Sequence, residues 1–216
     1  MDTKQIILSG IYDKRTLEHS LSLGITKFSF DFRPMSVNFI QQYVFEDLLK
    51  VLSSDLNPSR FTVYLRFQFE KDFMIENILS SIRGLGIDYI LQLKADEDVG
   101  YYQKLDSKIS FCYDQDLSLK HVKSSGYLDS LTLNYGFLDD IASDNRLDGF
   151  VSNLSARGAY SMPHIIDLDW DSQVSKVVLD YFNCELFVLS INGDVEVCYR
   201  NVDLNKLDTR LKFLSI

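Results

Sequence analysis

The chain has 216 residues, 46% of them hydrophobic and 13% aromatic, which is material for one ordinary domain or a small α/β barrel around a single core. Its 22 basic and 31 acidic side chains leave a net charge of −9, a sign that repels polyphosphates and excludes nucleic acid as an expected partner. No run of about 18 apolar residues could span a membrane, Ile6–Leu8 is too short for a signal-peptide core, and three widely spaced cysteines (Cys112, Cys184, Cys198) suit reduced thiols, so a cytoplasmic protein is expected.

In chain order, the strand-like runs are Ile6–Ser9, Lys27–Phe32, Phe61–Phe69, Tyr89–Lys94, Lys108–Tyr113, Leu128–Asn134, His164–Leu168 and Leu186–Ser190. Stretches of helical periodicity lie between several of them, at Arg15–Leu23, Phe45–Leu52, Asp72–Arg83 and Ser172–Tyr181, with Leu204–Leu214 after the last. Connections this long point to parallel strands joined by helical crossovers rather than hairpins. No Ser/Gly/Pro-rich linker or low-complexity segment interrupts the pattern, so residues 1–216 are expected to form one domain.

A parallel sheet covered by helices on both faces should have near-continuous apolar strands. Several strands here alternate instead. Phe28, Phe30 and Phe32 interleave with Lys27, Ser29 and Asp31, while Val63, Leu65 and Phe67 interleave with Thr62, Tyr64, Arg66 and Gln68. Leu91 and Leu93 flank Gln92, and Leu131 and Leu133 flank Thr132. In a closed barrel the apolar set meets the helical ring and the other set faces the lumen. The expected fold is therefore a (β/α)8 barrel with a polar, charge-containing lumen, the doubly wound open sheet being the alternative.

Three segments carry a family resemblance: Ile7-Leu8-Ser9-Gly10-Ile11, Gly24-Ile25-Thr26, and Phe30-Asp31-Phe32-Arg33-Pro34-Met35-Ser36-Val37-Asn38. They resemble the opening of phosphoribosylanthranilate isomerase, which reads Lys-Ile-Cys-Gly-Ile, then Gly-Ala-Asp, then Phe-x-Phe-x-Pro-x-Ser-x-Arg. Near the other end, the stretch from Phe187 to Glu196 is similar to the family's eighth strand and its Asp-Val-Ser-Ser-Gly-Val-Glu. Leu91-Gln92-Leu93-Lys94 resembles the family's Gln-Leu-His-Gly on strand four more loosely. The resemblance implies an Amadori-type isomerisation in tryptophan biosynthesis. It also implies a general base on strand one, a general acid on strand six, and a phosphate site in the loops after strands seven and eight.

Carried over position by position, those roles meet substitutions. Ser9 stands where the family has a basic cysteine, and a hydroxyl ionises far less readily than a thiol unless a partner base helps it. Asn134 stands at the acid, and an amide cannot deliver a proton. Asn38 replaces an arginine. Where the family cradles phosphate on small residues, this chain has Asp167-Leu168-Asp169-Trp170 after strand seven and Asn192-Gly193-Asp194 after strand eight. A carboxylate about 5 Å from a phosphate charge costs roughly 3 kcal/mol per unit charge at an effective dielectric of 20. Asp169 and Asp194 are therefore expected to repel the anion, and Leu168 and Trp170 to obstruct it.

Asp31, Arg66, Lys94, Asp114 and Asp167 could form a new constellation at the strands' C-terminal ends, or a buried ion-pair network filling the lumen. Asp167, Asp169 and Asp194 could hold a divalent cation, or be solvated acids of an acidic chain. His19, His121 and His164 share no metal-ligand spacing, and neither a metal nor a cofactor is expected. Trp170 could stack on a ligand or cap the core, and Tyr12, Tyr135 and Tyr199 follow strands and could narrow the mouth.

The expected protein is an isomerase-like barrel that has lost the chemistry and serves in binding or assembly. The alternatives are an enzyme of new specificity for a small, phosphate-free and cationic ligand, which an acidic mouth would suit, and a divergent active isomerase. The partner, small molecule or protein, is left open. A working site should keep the mouth open with Asp31, Lys94 or Asp167 facing it, whereas a degenerate barrel should plug it with Leu168, Trp170 and the tyrosines.

Overall fold

A computed structural model describes residues 6–94, 97, 99–113, 127–156, 158–171, 178, 180–182 and 184–213. Eight parallel strands close in sequence order: β1 Ile6–Ser9, β2 Lys27–Asp31, β3 Thr62–Arg66, β4 Asp88–Lys94, β5 Lys108–Tyr113, β6 Leu128–Asn134, β7 His164–Leu168 and β8 Cys184–Ser190. β1 pairs with both β2 and β8, Ile7 lying opposite Lys27 on one side and Val188 on the other, which completes the (β/α)8 ring. The helices are α1 Lys14–Ser22, α2 Gln42–Ser53, α3 Asp72–Ile82, α4 Val99–Tyr102, α5 Tyr135–Ser143, α6 Leu147–Ala156 and α7 Leu204–Phe213. The helix expected at 172–181 falls largely outside the described residues. Among the described residues, no helix is long and apolar enough to cross a membrane.

Alternation along the strands builds two separate clusters. Leu8, Phe28, Phe30, Val63, Leu65, Leu91, Leu93, Phe111, Leu131 and Leu133 point outward and pack with Leu17, Phe45, Leu49, Ile75, Leu79 and Leu138 of the helices. Stacked Phe32 and Phe67, 5.2 Å apart, and Phe45 edge-on to Phe30 at 5.0 Å seal the β2–β3 side of that layer. On the opposite parity, Ile7, Tyr64, Ile90, Ile165 and Val188 form a second cluster. The inward set is thus not uniformly polar, which corrects the expected lumen. A barrel interior is filled by layered side chains, and here apolar residues share it with buried Ser29, Gln92, Ser110, Ser130 and Thr132. Two of these polar contacts close internally, Ser29 Oγ donating to Gln92 Oε1 at 2.8 Å and Ser110 Oγ lying 3.2 Å from Thr132 Oγ1.

Two departures from the expected boundaries have local causes. β3 stops at Arg66 rather than Phe69, because Phe69 adopts φ 53° and its amide leaves the sheet to donate to Glu97 Oε2 at 2.9 Å. After β8 the chain adds a hairpin, β9 Glu196–Cys198 and β10 Asn201–Val202, with Arg200 at φ 62° in the two-residue turn. Arg200 reaches back over the Tyr12 ring at 4.7 Å and donates to Phe39 O at 2.5 Å, tying the hairpin to the loop after β2.

Candidate ligand site at the barrel mouth

A cavity of about 310 Å³ opens at the C-terminal ends of the strands, lined by Arg33, Arg66, Lys94, Cys112, Tyr113, Thr132, Asn134 and Asp167. Its wall draws one or two residues from each of β3, β4, β5, β6 and β7, with Arg33 reaching in from the loop after β2. Larger hollows exist, one at the N-terminal face around Asp88 and Lys108 and one between α1 and α2. The mouth is distinguished by charged side chains converging from separate strands, at the end of the barrel where such folds do chemistry.

Arg33 is largely committed to Asp31. Its Nε donates to Asp31 Oδ1 at 2.9 Å and its Nη2 to Oδ2 at 2.6 Å, while Ser36 Oγ donates to the same Oδ2 at 2.7 Å. Burial works to raise the pKa of Asp31, but these donors outweigh it and hold the carboxyl below its ordinary range. Asp31 therefore sits in a closed ion pair with 5% of its side chain exposed and does not line the cavity. Asp167 behaves oppositely. Burial pushes its carboxyl upward, Asp169 adds to that, and Arg66 and Arg33 only partly offset it. The Cys112 thiol is also pushed up by burial, which keeps it protonated and unreactive.

Lys94 reaches the wall from the end of β4, anchored by its main-chain amide, which donates to Glu97 Oε1 at 2.9 Å. The carboxylate of Glu97 is buried and also accepts from Tyr102 Oη at 2.6 Å and from the Phe69 amide. One residue thereby fixes the ends of β3 and β4 together. Among the described residues, no carboxylate stands within ion-pair distance of Lys94 Nζ.

Ser9 is buried at the end of β1, in register with Ser29 and Ser190, and is not part of the cavity wall. Asn134 does line it, but its Oδ1 accepts the Phe137 amide at 3.1 Å and caps the N-terminus of α5. Asn38 lies beside Gly10, whose φ is +84° and where a Cβ would come within 3.0 Å of the Asn38 side-chain amide, and it accepts from Tyr12 Oη at 2.6 Å. The Tyr12 hydroxyl is raised to about 12, mainly by burial.

The acidic residues after β7 and β8 do not form the repulsive pair expected of them. Asp169 and Asp194 are both exposed, where water screens them. The space is closed by other means. Trp170 is buried in the outer core and donates its indole N–H to Ser190 O at 2.6 Å, bridging the ends of β7 and β8. The Asp194, Val195 and Glu196 amides turn back onto Asn192, at 3.0 to 3.1 Å. Nothing approaches Gly193 where a side chain would be.

Asp167, Asp169 and Asp194 do not gather, and among the described residues no three His, Cys, Asp or Glu side chains could share a metal ion. His19 pairs with Asp208 at 2.6 Å, and His164 is buried beside the rings of Tyr160 and Phe182. His121 and Asp114 lie outside the described residues. Leu168, Trp170 and Tyr135 belong to the outer core and Tyr199 is exposed, so none of them plugs the cavity. Among the described residues the mouth is also not acidic, since Arg66 and Lys94 outnumber Asp167 on the cavity wall and Asp31 is locked in its pair with Arg33. Sequence reading missed Arg33, Cys112, Tyr113 and Thr132, although inward parity with Ser110 and Ser130 marks Cys112 and Thr132.

No family model and no curated protein matches the sequence. Solved structures do. The phosphoribosylanthranilate isomerase from Thermus thermophilus superposes with a TM-score of 0.63 at 14% identity, covering 98% of this chain and 100% of that one. A phosphoribosylanthranilate isomerase in complex with reduced 1-(o-carboxyphenylamino)-1-deoxyribulose 5-phosphate gives 0.63 at 14%, covering 96% of each chain. TrpF from Jonesia denitrificans gives 0.59 at 14%, covering 96% and 94%. The chain has their barrel fold from end to end.

Proposed function

We propose that this barrel binds a small, phosphate-free carboxylate at its open mouth and has lost the isomerase reaction of the proteins it resembles. The carrying observation is the cavity itself, with Arg66 and Lys94 on its wall, beside Asn134, a short amide where the resemblance leads one to expect the acid. A carboxylate about 5 Å from one such cation gains roughly 3 kcal/mol at an effective dielectric of 20. A fixed guanidinium favours planar anions in particular. Against isomerisation stand a proton donor replaced by a helix cap, a base position outside the cavity wall, and an indole occupying the region between the β7 and β8 ends.

An enzymatic role for the same mouth is favoured by one observation, the Asp167 carboxyl held toward its protonated form beside an open cavity, as a proton-transfer group would be. The test has two arms. Purified protein is assayed for phosphoribosylanthranilate turnover, and thermal shifts are measured with small carboxylates, sugar phosphates and amines. We expect no turnover and stabilisation by carboxylates alone. Turnover, or stabilisation by sugar phosphates in preference to carboxylates, would overturn the reading.

A further inference from the structure

Among the described residues, the charges around the mouth are sorted, not mixed. In a closed ring of eight strands, β3 and β7 stand four strands apart in either direction, so Arg66 and Asp167 come from opposite walls. Lys94, on β4, adds to the Arg66 side. The third cation, Arg33, is neutralised by its two-pronged pairing with Asp31. Among the described residues between the poles, β5 and β6 contribute the neutral Cys112, Tyr113, Thr132 and Asn134. The cavity is a dipole, positive at β3–β4 and negative at β7.

We propose that the ligand is a zwitterion, a small amino carboxylate whose carboxylate faces Arg66 and Lys94 and whose ammonium faces Asp167. This rests on the mouth being a carboxylate site and adds the second charge. A simple anion gains from one wall and is repelled by the other, and a simple amine does the reverse. Only a molecule with separated opposite charges gains from both. The volume, about 310 Å³, holds about ten water-sized groups at roughly 30 Å³ each, the scale of a free amino acid.

The pH dependence separates the two ligand classes by sign. The groups acting on Asp167 are Arg66 and Arg33, which favour its ionised form, and burial and Asp169, which oppose it, while Cys112 faces it as a neutral thiol. An ammonium needs ionised Asp167, so amino carboxylate affinity rises as pH increases through its titration. A plain carboxylate prefers protonated Asp167, so its affinity falls over the same interval.

Titration calorimetry on the whole chain would compare β-alanine with propionate, 4-aminobutyrate with butyrate, and leucine with 4-methylpentanoate, each also against the matching amine. At least one amino carboxylate should bind tenfold or more tighter than its partner. Asp167→Asn should erase that tenfold and leave the plain carboxylate binding at least as tightly as before, since the repelling charge is gone, and Lys94→Gln should weaken both. Equal binding within every pair overturns the zwitterion and leaves the carboxylate site standing. Binding by amines alone, or by no member of any pair, overturns both.

Discussion

The indole nitrogen of Trp170, two residues beyond the end of β7, donates to the main-chain carbonyl of Ser190, the last residue of β8, at 2.6 Å. A 3%-exposed ring between two strand ends makes the corner between β7 and β8 solid. Trp170→Ala should destabilise the protein by about 3 to 5 kcal/mol, the usual range for removing a large core aromatic. Trp170→Phe, which keeps most of the ring and loses the hydrogen bond, should cost about 1 to 2 kcal/mol. Urea denaturation checks both. Trp170 is the only tryptophan, so its emission reports on this corner directly, and millimolar phosphate should leave the spectrum unchanged.

Asp31 ties its stability contribution to pH. Its folded carboxyl is held below the unfolded value of about 3.9, so the stabilisation is present above that pH and disappears as pH falls through the folded value. Asp31→Asn should cost about 2 kcal/mol at pH 7, below the range for fully buried pairs because 22% of the Arg33 side chain meets water. The gap between wild type and variant should narrow below about pH 4. Denaturation midpoints at pH 7, 5 and 3 measure it.

Asp167 carries the reverse sign. Its folded carboxyl is raised, so ionising it in the native state is penalised at any pH above the folded value and free of penalty below about 3.9. Asp167→Asn should therefore melt higher than wild type at pH 7, and the two curves should converge in acid. A variant less stable than wild type at neutral pH would show that Arg66 outweighs burial. A ligand site bought with stability is a common pattern at functional positions.

Glu97 offers a sharper stability test. Its buried carboxylate accepts from the Phe69 and Lys94 amides and from the Tyr102 hydroxyl, whose own acidity burial and Glu97 both suppress. Glu97→Ala strands three donors and should cost about 3 kcal/mol, taking each unpaired buried group at about 1 kcal/mol. Glu97→Gln retains an acceptor and should cost less. Because the end of β4 loses its anchor, Glu97→Gln should also weaken carboxylate binding more than Asp47→Asn, a surface control on α2.

The strands were legible because parity is written into them. Phe28, Phe30, Val63, Leu65, Leu131 and Leu133 could face only the helices, and that fixed their positions to within two or three residues. The end of β3 was not legible, because φ 53° at Phe69 depends on Glu97, 28 residues downstream. The β9–β10 hairpin was equally hidden, since its turn places Tyr199 and Arg200 where glycine or asparagine would have signalled it. Among the described residues, the mouth does not carry the sign that net charge suggested. Asp169 and Asp194 count toward −9 but point into water, whereas Arg66 and Lys94 end inward-facing registers.

If the proposed reading holds, placing the isomerase residue types at Ser9 and Asn134 should not produce turnover. Asn134→Asp keeps an oxygen acceptor for the Phe137 amide and places a negative charge at the start of α5, so the helix should be retained or slightly stabilised, by up to about 1 kcal/mol. Ser9→Cys puts a slightly larger thiol at a buried position on β1, where it should cost under about 1.5 kcal/mol. The double variant then carries both residue types expected of the isomerase on a stable barrel. Catalysis also requires the substrate's phosphate to be held so that its sugar reaches both groups. Here the Trp170 indole spans the strand ends and the amides of Asp194, Val195 and Glu196 are turned onto Asn192. Turnover of phosphoribosylanthranilate should stay at background in Ser9→Cys/Asn134→Asp, and any measurable rate would show that the closed corner opens when substrate arrives.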